Sequence, residues 1–124
     1  MPRIELSASK GLVQTAGQGF VDKDFQTHAA VNVDLTASPT AAQKGALIHL
    51  VTLAGVNKTF KLSAAADSTA GQIKFIVLTS TGGGTLTINN HDGVQIGAAA
   101  LNAASDFAIC VFDGTNWVAG QSLA

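Results

Sequence analysis

The sequence predicts an all-β protein: an antiparallel β-sandwich or jelly-roll-like domain with an extended N-terminal arm. Three observations carry that prediction. Short runs of β-branched and bulky apolar residues recur from residue 45 onward, separated by turns containing Gly, Asn and Asp. No segment shows the 3.6-residue periodicity of an amphipathic helix of ordinary length. The 124 residues suit one domain, long enough to bury a core without disulfides.

The elements follow in order. Residues 1–43 are rich in Gly, Ala, Ser, Thr and Gln and carry only short apolar patches, so they read as an arm that needs a surface to lie on. Within it, Val31, Val33 and Leu35 alternate with Asn32 and Asp34, predicting a short strand over residues 30–35. The β-domain is assigned to residues 44–124. Its runs at residues 46–53 and 72–79 are apolar on both alternating faces; Phe75 and Val77 lie on one side, Ile76 and Leu78 on the other. Strands of that kind are covered on both sides, by a second sheet, a barrel or a subunit interface. Residues 58–62 and 85–88 alternate instead, with Phe60, Leu62, Leu86 and Ile88 inward and Thr59, Lys61, Thr85 and Thr87 outward.

These four runs follow one plan. Residues 45–62 and 71–88 align without gaps at an offset of 26, with Gly45/Gly71, Val51/Val77 and Thr59/Thr85 identical. Each pair is expected to be a hairpin: a two-sided apolar strand, a Gly-containing turn, and a strand with one wet face. A short strand at residues 94–97 and a helical turn or Ala-rich loop at residues 98–105 lead to a last hairpin. That hairpin runs from Asp106 through Phe112, turns at Asp113 to Asn116 and closes from Trp117.

Composition narrows the function classes. Charged residues are 12% of the chain, about half the usual share, and the formal net charge is −1. The basic residues are scattered, so neither nucleic acid nor an anionic membrane surface is an expected partner. A sparsely charged surface is poorly protected against association, which points to a fold that hides surface against copies of itself or a partner. The N-terminal residues do not read as a secretory signal, because Glu5 interrupts them and no sustained apolar stretch follows. The expected product is soluble and made in a cytoplasm.

No cluster of reactive residues assembles in the sequence. Gly82 to Gly84 are followed by a strand rather than by Lys-Ser/Thr and a helix, so they read as a turn and not as a phosphate loop. His28, His49 and His91 share no metal-ligand spacing, and the acids around Asp22 and Asp92 lack the calcium-loop pattern. Cys110, the only cysteine, lies mid-strand between Ile109 and Val111 and reads as a small core residue. Catalytic residues, cofactors and metals are therefore expected to be none. Trp117 has two readings: a plug in the core or a subunit interface, or an exposed ring that stacks on a sugar.

Residues 71–88 and 105–120, with a G-x-x-K strand, a Gly-rich turn, a T-L-T-I strand and a closing F-DG-x-x-W-V-x-G hairpin, resemble a β-rich module of tailed-bacteriophage virion proteins. The small stand-alone versions resemble head decoration, or cement, proteins. The resemblance implies a non-enzymatic structural protein on the capsid exterior, bound to the major capsid protein as a dimer or trimer. A carbohydrate- or receptor-binding module of a tail fibre is the alternative. Arg3, Ile4 and Leu6, whose pattern suits strand addition to a neighbouring chain, and Trp117 are the expected partner contacts.

Overall fold

In the computed structural model, the described residues are 4–7, 11–14, 22, 25–37 and 39–123. Strand dominates. Among the described residues, helix is limited to the five residues of α1 (Ala41–Gly45) and a single 3-10 turn at Ala65–Asp67. The described residues form ten strands in three sheets. β1 (Ile4–Ser7) and β2 (Gly11–Gln14) make an antiparallel pair of their own. A five-stranded sheet runs in the order β10-β9-β7-β5-β3, from β3 (Gln26–Ala29), β5 (Ile48–Thr52), β7 (Ile73–Ser80), β9 (Phe107–Phe112) and β10 (Trp117–Ser122). A three-stranded sheet runs β4-β6-β8, from β4 (Val33–Asp34), β6 (Lys58–Lys61) and β8 (Leu86–Asn89).

The repeated unit of the sequence is real, but it is not a hairpin. β5 joins the five-stranded sheet and β6 the three-stranded one, and β7 and β8 divide in the same way. The strands then stack in parallel: β3 on β5 on β7 in one sheet, β4 on β6 on β8 in the other. Only β7-β9 and β9-β10 are antiparallel within these two sheets. The expected wholly antiparallel arrangement is therefore corrected to a mixed one, in which the chain passes three times through the same strand–arch–strand path. The physical reason is solvation. A hairpin would put a two-sided apolar strand beside a one-sided one in the same sheet, whereas the arch places each beside its own kind.

Register refines the repeat. Ile48 pairs with Phe75, an offset of 27, and a register shift after Val51 brings Thr52 opposite Ser80. Lys58 pairs with Leu86, an offset of 28. An offset of 26 would set inward-facing Val51 against outward-facing Val77. A slip of one residue reverses every side chain of a strand, and because both faces of β5 and β7 are apolar, the sequence pattern does not penalise that slip.

Residues 26–35 belong to the β-domain and not to an extended arm. β3 and β4 form the first of the three stacked passes, and Val33 and Leu35 are buried in the common core. The strand expected over residues 30–35 is confined to Val33–Asp34, since Ala30 has a positive φ of 53° and Val31 is exposed. Polar side chains fix the spacing between passes. Asn32 Oδ1 accepts the Thr59 N–H at 3.0 Å, and Asn57 Oδ1 accepts the Thr85 N–H at 3.0 Å. In each case one pass satisfies a backbone donor at the corner of the next, where no ladder bond is available.

The core lies between the inner faces of the two sheets. Phe60, Leu62, Leu86 and Ile88 come from the three-stranded side, and Val51, Ile76, Leu78 and Phe112 from the five-stranded side. The run Gly82 to Gly84 is the arch from β7 to β8, stacked directly on the arch at Ala54 to Val56. A Cβ on Gly82 would lie 2.8 Å from Gly55 N, and one on Gly84 would lie 2.5 Å from Val56 O. Close backbone approach is the reason for glycine there.

Residues 94–105 form no strand or helix. Gln95 and Leu101 make single bridges to Asn89 and Leu86, and Leu101 enters the core. The Ala-rich segment is a loop, pinned by the side chains of Gln121, which accepts from Ala98 and Ala99, and of buried Asp106, which accepts from Asn102 and Ala103. The last hairpin is as expected. Asp113 Oδ1 accepts the Thr115 and Asn116 N–H groups, both at 2.8 Å, and closes the turn.

Candidate interaction surface

Trp117 begins β10 with its side chain turned inward. It is 1% exposed, tilts against Phe112 at 5.4 Å between ring centroids, and donates its indole N–H to the Ser63 carbonyl at 2.9 Å. A buried ring with its one donor satisfied has nothing to offer a partner or a sugar. The expectation of Trp117 as a partner contact is corrected to a core role. Ile4 and Leu6 lie in β1, where they pair with Gln14 and Leu12 of β2. Arg3 lies outside the described residues.

The inner face of the five-stranded sheet gathers an unexpected polar cluster at one end of the core. Lys74, in the middle of an apolar run, is 1% exposed, and its Nζ donates to the carbonyls of Lys44 at 2.7 Å and Ala46 at 2.6 Å. Those acceptors sit at the end of α1 and just beyond it, so Lys74 fastens that segment to the sheet. Asp22 Oδ2 works on the same stretch from outside, accepting the Leu47 and Ile48 N–H groups, both at 2.9 Å. Cys110 stands opposite Lys74 across the β7-β9 pair and is buried. His28 Nε2 and His49 Nδ1 lie 3.1 Å apart, their rings stacked and both set edge-on to Phe60.

Burial governs the chemistry of this cluster. It lowers the Lys74 ammonium to about 8 despite the favourable charge of Asp22. It raises the Cys110 thiol to about 12 against the pull of Lys74, so the sulfur stays protonated and unreactive at neutral pH. Burial, aided by the charges of Lys74 and His28, brings His49 down to about 3, and burial also lowers His28. The pair is thus neutral near pH 7 and holds one hydrogen bond in an apolar setting. Among the described residues, no group of three or more His, Cys, Asp and Glu is arranged to hold a metal.

This arrangement sets an acid limit on stability. His49 binds its proton near pH 3 when folded and near its ordinary 6.5 when unfolded. Between those values the unfolded chain holds the extra proton, so the contribution is complete above about pH 6.5 and is lost as pH falls towards 3. His28 acts in the same direction. Unfolding by urea should show about 2 kcal/mol less stability at pH 5 than at pH 7 from His49. The difference should shrink in His49→Gln; an undiminished pH dependence in that variant would contradict the assignment.

The outer faces of the two sheets differ in kind. On the three-stranded sheet the outward row places Asp34, Lys61 and Asn89 side by side, with Thr59 beside Thr87 in the next row. That face is made for water. On the five-stranded sheet, Ile73, Val111 and Val118 form one outward row. Ile48, Phe75 and Ile109 form the next, ending at Gly120, and Leu50, Val77 and Phe107 form a third, between Thr27 and Ser122. No charged residue occupies any of the three rows. Ile73, Ile109 and Val118 are exposed, and the intervening side chains are half-buried against one another. Sheets in water alternate apolar-in with polar-out, so a contiguous apolar outer face marks a surface that is covered when the protein works.

No protein-family model, curated protein or solved structure matches this chain. Among the described residues, no helix is long and apolar enough to cross a membrane.

Proposed function

We propose that this chain is a non-enzymatic structural protein of a tailed-bacteriophage virion. In this reading it is a decoration, or cement, protein that binds the major capsid protein on the outside of the head. The observation that carries the reading is the contrast between the two outer faces, one polar and one uncharged and apolar, on a chain with few charges. A protein built to join a lattice needs a face to give to the assembly and a face to leave in water. The titratable groups of the core support the same reading, because Lys74, His49 and Cys110 are each buried in structural roles.

The two sheets about one core are read as a β-sandwich whose body is three stacked parallel passes, closed by the last hairpin. Residues upstream of β3, including Arg3, Ile4 and Leu6, remain the proposed arm towards the capsid. The mechanism is ligation. A subunit that binds two neighbouring capsomers contributes its binding free energy only while they stay together, and so opposes internal pressure. Co-purification of the protein with assembled heads tests the proposal, and its absence from them would overturn it.

A further inference from the structure

We propose that the first pass, β3 with β4, is an acid-released latch: the hydrogen bond between His28 and His49 holds it to the body at neutral pH, and a proton taken up by that pair opens it while the rest of the protein stays folded. Its place in the fold lets it open alone. β3 is an edge strand of the five-stranded sheet and β4 an edge strand of the three-stranded one, so each meets the body through a single ladder, to β5 and to β6. Across those seams the Ala30 N–H donates to the Thr52 carbonyl at 2.8 Å, the Leu35 N–H to the Lys61 carbonyl at 3.0 Å, and the Thr59 N–H to Asn32 Oδ1 at 3.0 Å. Short edge elements held in this way open at less cost than the whole fold.

Counting protons makes the histidine pair the catch. Two neutral imidazoles carry two N–H protons, and one of them fills the 3.1 Å gap between His28 Nε2 and His49 Nδ1. The other belongs on His28 Nδ1, because His49 Nε2 is buried with no hydrogen-bond partner and an N–H there would be an orphan donor. A third proton then has two places. On His49 Nε2 it makes a charged donor without an acceptor; in the gap it sets two N–H groups against each other and breaks the bond. The closed pass holds that proton badly, whereas the open pass, with both rings in water, holds it at ordinary imidazole affinity.

The surrounding groups do not compensate a charged pair. Lys74 of β7 repels it, and Phe60 of β6 stands edge-on to both rings with no charge to offer. Asp22 and the Ala46 carbonyl favour a charged His49, but Asp22 Oδ2 accepts the Leu47 and Ile48 N–H groups and the Ala46 carbonyl accepts from Lys74 Nζ at 2.6 Å. Cys110 of β9, protonated, brings no charge. Burial outweighs the rest, and it acts on both rings in the same direction.

The residues ahead of β3 are the arm of the virion reading, and on that reading acid loosens the arm from a folded body; the latch itself stands without it. Hydrogen-exchange mass spectrometry of the full chain, corrected for the intrinsic pH dependence of exchange, is the test. At pH 7, residues 26–35 are expected to be about tenfold or more less protected than residues 73–80 and 107–112. At pH 5 their protection is expected to fall about tenfold or more again, with the body still the better protected, and His49→Gln should remove most of that fall. His49→Phe, which keeps a ring beside Phe60 and takes no proton, replaces it if circular dichroism shows the glutamine variant misfolded. Equal protection of pass and body at both pH values would mean that the pass opens only with the whole protein and would overturn the proposal. A fall that survives the substitution would overturn it too. A working latch in a protein absent from phage heads would uphold this inference and remove the virion reading.

Discussion

Replacing Gly84 with alanine is expected to cost at least about 3 kcal/mol and to leave much of the chain unfolded. The new Cβ would stand 2.5 Å from Val56 O, 2.8 Å from Val56 N and 2.9 Å from Val56 C, all backbone atoms of the arch below. Backbone held by ladders on both sides has no rotamer through which to retreat, so the two arches must separate. Separation would strain the Asn57 bond to the Thr85 N–H and lift Leu86 out of the core. Gly83 and Gly45 supply the controls. A Cβ on Gly83 meets nothing within 4 Å, but φ is +98°, so alanine there should cost about 1–2 kcal/mol in strain alone. Gly45 has open space and no positive φ, and alanine should be nearly neutral. Urea midpoints ranked Gly84→Ala below Gly83→Ala below Gly45→Ala would support the stacked arches; equal midpoints would contradict them.

Trp117→Ala should be of similar size, about 3–5 kcal/mol, because it removes a large side chain that is 1% exposed and opens a cavity beside Phe112. It also leaves the Ser63 carbonyl without the indole donor. Trp117→Phe should keep most of the packing and lose chiefly the hydrogen bond, about 1–3 kcal/mol. Equilibrium unfolding distinguishes the core role from a surface role. A loss below about 1 kcal/mol for Trp117→Ala would mean that the ring is not sealing the hairpin onto the body.

Strand positions were legible because alternation is a local signal. The wet faces at Thr59, Lys61 and Thr87 and the Asp113 turn needed only their own neighbours in sequence. Which strands would pair was not legible, and the reason is the apolar outer face of the five-stranded sheet. With Phe75 and Val77 apolar outside and Ile76 and Leu78 apolar inside, neither the register nor the handover between sheets leaves a mark on the pattern. Val33 and Leu35 were visible as a short alternating strand, but their neighbours in Gly-, Ser- and Thr-rich sequence hid the fact that the strand completes the core. Lys74 was missed because a lysine in an apolar run looks like an interruption. Its use depends on two carbonyls, of Lys44 and Ala46, that only the fold brings within reach. Cys110 was legible as buried, while the pairing of His49 with His28 was not, since 21 residues separate them.

The central claim is that this protein belongs to a particle, as one of its regular parts. Counting its copies in purified tailed-phage heads, by quantitative mass spectrometry against the major capsid protein, tests that claim most directly. A fixed ratio that matches the symmetry of the head lattice, unchanged from one preparation to the next, is the predicted result. Its absence from purified heads, or a ratio that drifts with washing towards zero, would contradict it.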